Sequence, residues 1–120
     1  MSLNTVDSQE LAHLALDAIA EKMGLNTVIL DIRPVSLLGD YFVICSGESD
    51  RQIQAIVDEI RFQVKKQLGI IPLRIEGTSA SGWMLMDYGG VIVHIFSPAT
   101  RDYYQLEALW SDAPVVVKMQ

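Results

Sequence analysis

The 120-residue sequence contains one cysteine, two histidines and no long hydrophobic run. The single cysteine excludes an internal disulfide framework, and Cys45, His13 and His94 are too few ligands for a closed structural zinc site. No run approaches the ~18 uncharged residues of a membrane span, and the first residues lack the charged start and apolar stretch of a signal peptide. These absences predict a cytoplasmic protein that does not contact a membrane.

Basic residues are also scarce. Nine Lys and Arg against 15 Asp and Glu give a net charge of -6. Affinity for nucleic acid rests largely on basic side chains that displace counterions from phosphates, and the longest basic feature is the pair Lys65 and Lys66. The charge balance argues against DNA binding and against more than a little direct RNA contact. It favours a basic protein as the partner.

The apolar content is high enough for one compact core. Half of the residues are hydrophobic, which excludes general disorder at this length. No repeat, low-complexity stretch or linker interrupts the chain. We therefore expect a single domain over residues 1–120.

Helical periodicity appears in three places. Apolar residues recur every three or four positions over 7–23, and we expect Gly24 to end this helix in a left-handed conformation. Ser49 is positioned to cap a second helix, with Gln52 completing the cap pattern and Gly69 ending the helix. A final helix is predicted to start at Ser97 and Pro98, with four residues facing inward: Tyr103, Leu106, Leu109 and Trp110.

The segments between these helices are predicted to form strands. Alternation over 27–33 predicts a strand that ends before Pro34, and the unbroken apolar run 41–46 predicts a central strand covered on both faces. Three further strands are predicted at 73–76, 83–88 and 91–96. Val115 to Val117 forms either a short edge strand or a loose tail.

The predicted element order is αββαβββα. It specifies an α/β (α+β) domain with a mixed five-stranded sheet flanked by helices. The crossover through the second helix should make its flanking strands parallel, whereas the hairpin closed by Gly89 and Gly90 is antiparallel, with positive φ available at both glycines.

A two-residue turn fixes which side chains share each face of the hairpin. One face is an ordinary core set: Met84, Met86, Tyr88, Val91, Val93 and Ile95. The other face combines aromatic, aliphatic and polar groups: Trp83, Leu85, Asp87, Ile92, His94 and Phe96. On this face Asp87 and His94 are diagonal neighbours, so we expect Asp87 to orient or charge His94.

Two interpretations of the mixed face stay open. It is either a second core layer under a helix, with its polar groups paired, or a partner-binding face in which aromatic anchors are surrounded by a few polar groups. The candidate partner-binding residues from the hairpin are Trp83, Leu85, Asp87, Tyr88, His94 and Phe96.

Enzymatic chemistry has weak support in the sequence. Ser46 and Gly47 sit at a strand-to-helix junction suited to nucleotidyl transfer, but the paired carboxylates that hold two metal ions are missing. The loop 77–82 could supply a serine to Asp87 and His94, yet no nucleophile-elbow pattern is present. Cys45 lies in an apolar run and is expected to be inert. We expect no catalytic residue, no metal and no cofactor.

Three segments carry a family resemblance. They are DYFVICSG at 40–47 with Arg51 and Gln52, GWMLMDYGGVIVHIF at 82–96, and RDYYQLEALW at 101–110. In this order they resemble the iojap family of ribosomal silencing factors, over about residues 7–113.

The resemblance implies a fold and a function. The implied fold is similar to that of nucleotidyltransferases, and family members tend to form homodimers. The implied function is binding to the large ribosomal subunit through its ribosomal protein fourteen, which sterically blocks joining of the small subunit and represses translation. The alternative is a nucleotide-binding or nucleotidyltransferase-like enzyme on the same scaffold.

Overall fold

The computed structural model describes residues 7–119. The helices are α1 Ser8–Glu21, α2 Asp50–Leu68, α3 Pro98–Tyr104 and α4 Leu106–Leu109. The strands are β1 Leu25–Asp31, β2 Tyr41–Ser46, β3 Arg74–Thr78, β4 Trp83–Asp87, β5 Val91–Phe96 and β6 Val115–Met119. A short 3-10 turn, Ser79–Ser81, links β3 to β4.

The strands form one mixed sheet in the order β3-β4-β5-β2-β1-β6. β2 and β5 are parallel neighbours, and the other neighbouring pairs are antiparallel. The strands that flank α2 are β2 and β3, and they run in the same direction, as the crossover predicted, although two strands lie between them. The prediction of five strands is wrong, because residues 115–119 pair with β1 as a sixth strand. Of the two alternatives for this segment, the edge strand is therefore the observed one.

Each face of the sheet packs a separate apolar cluster. The larger cluster lies between the sheet and the helices α1 and α2 and takes Tyr41, Val43 and Cys45 from β2, every residue of which is buried. A smaller cluster on the opposite face joins Phe42 and Phe96 to Leu106 and Trp110 from the α4 region. Burial on both faces explains why β2 reads as an unbroken apolar run.

The two long helices end differently from each other. Ser49 accepts a hydrogen bond from the Gln52 amide at 3.1 Å, and Gly69 ends α2 in the left-handed region at φ 69°, both as predicted. The prediction that Gly24 ends α1 in this way is wrong, because Met23 takes the positive φ of 60°. Gly24 is instead needed for packing, since a Cβ there would collide with Ile19.

The hairpin turn uses only one glycine with positive φ. Gly89 has φ 93°, whereas Gly90 does not lie in the left-handed region, so one of the two glycines uses the positive φ that is available to both. A Cβ on Gly90 would collide with the Ser8 hydroxyl, and the Gly90 carbonyl accepts the Asp40 amide at 2.7 Å. Gly90 therefore permits close contact between the turn and the start of α1.

The predicted final helix is broken in two. Gln105 adopts a positive φ of 51° between α3 and α4. Leu106 and Trp110 face inward as predicted. The inward placement of Tyr103 and Leu109 is wrong, because these side chains are 80% and 76% exposed. The break at Gln105 changes the direction of the chain between α3 and α4. The four residues therefore do not form one continuous apolar stripe.

No helix in the range 7–119 combines the length and apolar character that crossing a membrane requires.

Candidate partner-binding surface

The β4–β5 hairpin places the candidate residues in the predicted register. Trp83 lies opposite Phe96, Leu85 opposite His94, and Asp87 opposite Ile92. These side chains therefore share one face of the sheet. The opposite face carries the core residues Met84, Met86, Val91, Val93 and Ile95, all buried against α1 and α2.

The mixed face has a buried part and a part that reaches solvent. Phe96 is fully buried and His94 is 4% exposed. Trp83, Leu85 and Asp87 are partly exposed and lie nearer the β3 edge of the sheet. The interpretation as a second core layer therefore holds for His94 and Phe96. Trp83, Leu85 and Asp87 border open surface, where partner binding stays a prediction. We call Trp83, Leu85, Asp87 and Ile92 the open sheet face.

Trp83 and His94 are joined by a hydrogen bond between their rings. The indole Nε1 of Trp83 donates to Nδ1 of His94 over 3.3 Å. This contact assigns the His94 proton to Nε2, which is buried and has no hydrogen-bond partner. The Phe42 ring lies 4.9 Å from the His94 ring at 73°, so the imidazole is enclosed by aromatic surface.

Burial keeps His94 neutral. Loss of hydration disfavours the imidazolium and lowers the pKa of His94 from 6.5 to about 4. A neutral imidazole is the form that can accept the Trp83 N–H. His94 therefore acts as a fixed support beneath the indole, and it is not a charged contact.

Asp87 is engaged by its own hairpin. Its carboxylate accepts the Gly89 amide at 2.8 Å and pairs with Arg74 at 3.3 Å. The prediction that Asp87 orients or charges His94 is wrong, because Asp87 bonds within the turn and to β3 while His94 bonds to Trp83. Asp87 closes the turn and presents a partly compensated charge at the rim of the open sheet face.

Tyr88 does not lie with the other candidates. It packs against the cluster beneath α1 and α2, on the face opposite Trp83. Its hydroxyl is buried without a hydrogen-bond partner, and burial raises the pKa of Tyr88 to about 12. Tyr88 and Trp83 therefore lie on opposite faces, as the alternation along the hairpin predicted, and a part for Tyr88 in partner binding stays a prediction.

Two exposed aromatic side chains enlarge the surface beyond the hairpin, and the α3–α4 segment also exposes one aliphatic side chain. Tyr104 is 50% exposed, and its ring lies 4.9 Å from that of Trp83. Tyr103 packs edge-on against Tyr104 at 5.0 Å. Leu109 extends from α4 into solvent. Sequence reasoning missed Tyr104, because strand alternation within the hairpin says nothing about side chains outside the hairpin.

A polar clamp holds the α3–α4 segment against the sheet. Arg101 donates two hydrogen bonds to the carboxylate of Glu107, at 2.7 and 3.0 Å, and a third to the Ser46 hydroxyl at 2.9 Å. The guanidinium spans the break at Gln105 and reaches the carboxyl end of β2. It therefore fixes the position of Tyr104 and Trp110 relative to the sheet.

The same geometry is unfavourable for catalysis at the positions considered above. The Ser81 hydroxyl donates to the Thr78 carbonyl at 2.7 Å and so stabilises its own loop. Cys45 is fully buried, and burial raises the pKa of its thiol to about 12. Over residues 7–119, no three or more His, Cys, Asp or Glu side chains are grouped so that they could hold a metal ion.

Comparison with known proteins identifies the family. The family model described as "Ribosomal silencing factor during starvation" matches residues 5–120. A ribosomal silencing factor from Halalkalibacterium halodurans is 42% identical over 111 residues, covering 92% of this chain and 94% of that protein. One from Bacillus subtilis is 40% identical over 110 residues, covering 92% of each.

Solved structures agree with these relatives. A crystal structure of a protein from Chromobacterium violaceum superposes with a TM-score of 0.83 at 33% identity, covering 88% of each chain. Sequence and fold therefore match over almost the whole length, and the resemblance in the three motifs is confirmed. The chain belongs to the family of ribosomal silencing factors.

Proposed function

We propose that this protein binds the large ribosomal subunit through ribosomal protein fourteen and blocks joining of the small subunit, which represses translation. The observation that carries the proposal is the near full-length match to proteins named ribosomal silencing factor. The mechanism is steric: the bound protein occupies surface of the large subunit that the small subunit needs. It requires no catalytic step.

The open sheet face is the surface that we assign to this contact. Energetic anchors of protein interfaces are enriched in Trp and Tyr, and Trp83 and Tyr104 form such a pair at solvent. Trp83 is pre-organised by stacking on Phe96 at 4.9 Å and by its hydrogen bond to His94. A side chain that is already fixed loses less conformational freedom on binding.

Charge complementarity supports a basic protein as the target. The chain carries a net charge of -6, and a ribosomal protein embedded in RNA is expected to be basic. We expect association to weaken with added salt, but with a shallow slope, because few phosphates are contacted.

Further properties follow from the same proposal. We infer that the protein acts in the cytoplasm as a single domain over residues 1–120, that it forms a homodimer when free, and that it is not an enzyme. The similarity to nucleotidyltransferases that the family resemblance implies stays a prediction about the scaffold.

Co-sedimentation with purified ribosomal subunits tests the proposal. The protein should pellet with the large subunit and not with the small subunit, and it should reduce subunit joining when it is added first. Binding to isolated ribosomal protein fourteen then tests the named contact. Failure to pellet with the large subunit would refute the proposed function. Joining unaffected by a bound protein would refute the steric mechanism.

A further inference from the structure

A groove lies on the side of the molecule opposite the open sheet face. It runs between the second half of α2 and the segment that leads into β3, and its volume is about 480 Å³. The lining residues are Asp58, Arg61, Phe62, Lys65, Lys66, Ile71 and Pro72. We call it the α2 groove. Its volume lies within the range of ligand clefts in proteins.

The floor of the α2 groove is apolar and exposed. Phe62 is 57% exposed and Ile71 is 67% exposed, and the next strand begins beside Leu73, which is 74% exposed. The buried stripe of α2 that packs on the sheet consists of other residues: Ile53, Ile56, Val57, Ile60 and Val64. Phe62 and Ile71 are therefore additional apolar surface that the core does not use.

The rim of the groove has a charge opposite to that of the protein. Arg61, Lys65 and Lys66 are three of only nine basic residues in a chain of net charge -6. Within the part of the chain that the structure describes, none of the three forms an ion pair, whereas Lys22, Arg33, Arg74 and Arg101 all do. Asp58 is the single acidic residue of the lining.

The spacing of the basic residues suits a helical partner. Arg61 and Lys65 are four positions apart, so they lie on one side of α2, and Lys66 lies over the Phe62 ring at 5.7 Å. An amphipathic helix laid along α2 would place apolar residues on Phe62 and Ile71, with carboxylates toward Arg61 and Lys65. Single-stranded RNA fits less well, because base stacking needs several aromatic platforms and Phe62 is the single aromatic residue of the lining.

We infer that the α2 groove is a docking site for an acidic amphipathic helix of a partner protein. The site is separate from the open sheet face, because α2 and the hairpin residue Trp83 lie on opposite faces of the sheet. The protein can thus hold a second partner while the open sheet face is occupied. This role goes beyond ribosome binding.

A set of synthetic peptides tests the inference directly. Each peptide is a helix of about 16 residues, and all share the same apolar face. The positions beside that face carry Glu in the first peptide, Gln in the second and Lys in the third. We expect the Glu-flanked peptide to bind about tenfold more tightly than the Lys-flanked one, measured by fluorescence anisotropy. In nuclear magnetic resonance spectra, the changes in amide chemical shift on peptide binding should be confined to residues 58–72. Equal affinity for the Glu and Lys peptides would overturn the inference.

Matched variants separate groove binding from general charge attraction. Lys65→Glu should lower the affinity for the Glu-flanked peptide about fivefold, and Phe62→Ala should lower it to a similar extent. Lys118→Glu makes the same charge change on an exposed residue of β6 and should have little effect. An equal loss in Lys118→Glu would show unspecific attraction and would contradict docking at the groove.

Two further measurements exclude other occupants. Oligouridine should neither bind the groove nor displace the Glu-flanked peptide, and sedimentation equilibrium should give the same oligomeric state for Lys65→Glu as for the wild type. A different result in either would assign the groove to RNA or to a second copy of the chain. Lys65→Glu should still pellet with the large ribosomal subunit, so failure of the groove and failure of the proposed function remain distinguishable.

Discussion

Trp83 and His94 are the two rings on which the candidate surface depends, and the hydrogen bond between them joins a partly exposed indole to a buried neutral imidazole. The pair is part of a stack, because Trp83 also packs on Phe96 and against Tyr104. The indole therefore has a defined orientation before any partner arrives. A substitution of His94 should therefore alter the orientation of the Trp83 indole at the surface, although His94 itself is buried.

Stability should fall in mildly acidic solution because of His94. In the unfolded chain its pKa is near 6.5, whereas burial lowers it to about 4 in the folded protein, so the unfolded state binds the proton first as the pH falls. The free energy of unfolding should therefore decrease between pH 6.5 and 4, by on the order of 3 kcal/mol for this group. Urea denaturation at several pH values measures the effect.

The control for this prediction is the other histidine. His94→Gln removes the titrating imidazole but keeps an acceptor for the Trp83 N–H. The free energy of unfolding of this variant should therefore depend less on pH between 6.5 and 4 than that of the wild type. His13→Gln changes an exposed residue and should leave the wild-type slope. Identical slopes for the wild type and His94→Gln would contradict the assignment.

Trp83→Ala should weaken large-subunit binding more than the loss of any single rim charge. We expect a cost on the order of 2 kcal/mol or above for the anchor. Neutralising Glu76, an exposed residue that lies opposite Leu85 on the neighbouring strand β3, should cost less than about 1 kcal/mol. Phe62→Ala is a matched control, since it removes an exposed aromatic from the opposite side of the molecule. The measurement is co-sedimentation with the purified large subunit at several protein concentrations.

Folding must be checked before that comparison, because Trp83 also contacts Phe96 and His94. Circular dichroism of Trp83→Ala should match the wild type. Trp83→Phe keeps an aromatic ring in the stack and serves as a second variant, with an intermediate loss of binding. A folded Trp83→Ala protein with unchanged affinity would refute the assignment of the open sheet face.

The Arg101 clamp should contribute more to stability than a surface ion pair of the same geometry. Arg101→Ala removes three hydrogen bonds from a guanidinium that is 13% exposed, and we expect a loss of about 2 kcal/mol in the free energy of unfolding. Arg33 makes a similar two-pronged contact with Asp31, but it is 57% exposed. Arg33→Ala should therefore change stability little. Equal effects in urea denaturation would argue against the clamp.

Cys45 should not react in the folded protein. The thiolate is the reactive form, and complete burial raises the pKa of the thiol to about 12. Modification by an aromatic disulfide reagent at pH 8 should be slow without denaturant and rapid in concentrated urea. Rapid modification of the native protein would show that β2 opens readily.

The sequence predicted the hairpin more fully than the segment that follows it. A two-residue turn leaves one register, and the register decides every facing pair from Trp83–Phe96 to Asp87–Ile92. The break at Gln105 was not predictable from local pattern, because a positive φ at a residue other than glycine is stabilised by distant contacts such as Arg101 with Ser46.

The candidate site was predicted in part for the same reason. Strand alternation says which face a side chain occupies but not how much of that face a helix covers. The burial of His94 and Phe96 depends on the neighbouring strand β2, through Phe42, and on where Trp110 falls after the break. The partners of Asp87 depend on β3, whose Arg74 comes from a different hairpin arm.

The pairing of β1 with β6 has a consequence for how this chain is made. Thr27 lies beside Met119 in the sheet. The outer edge of β1 is therefore uncovered until β6 has been synthesised. Contacts so distant in sequence close slowly, and an open strand edge is prone to pair with other chains. The growing chain must therefore leave the exit tunnel as far as residue 119 before this edge of the sheet can close.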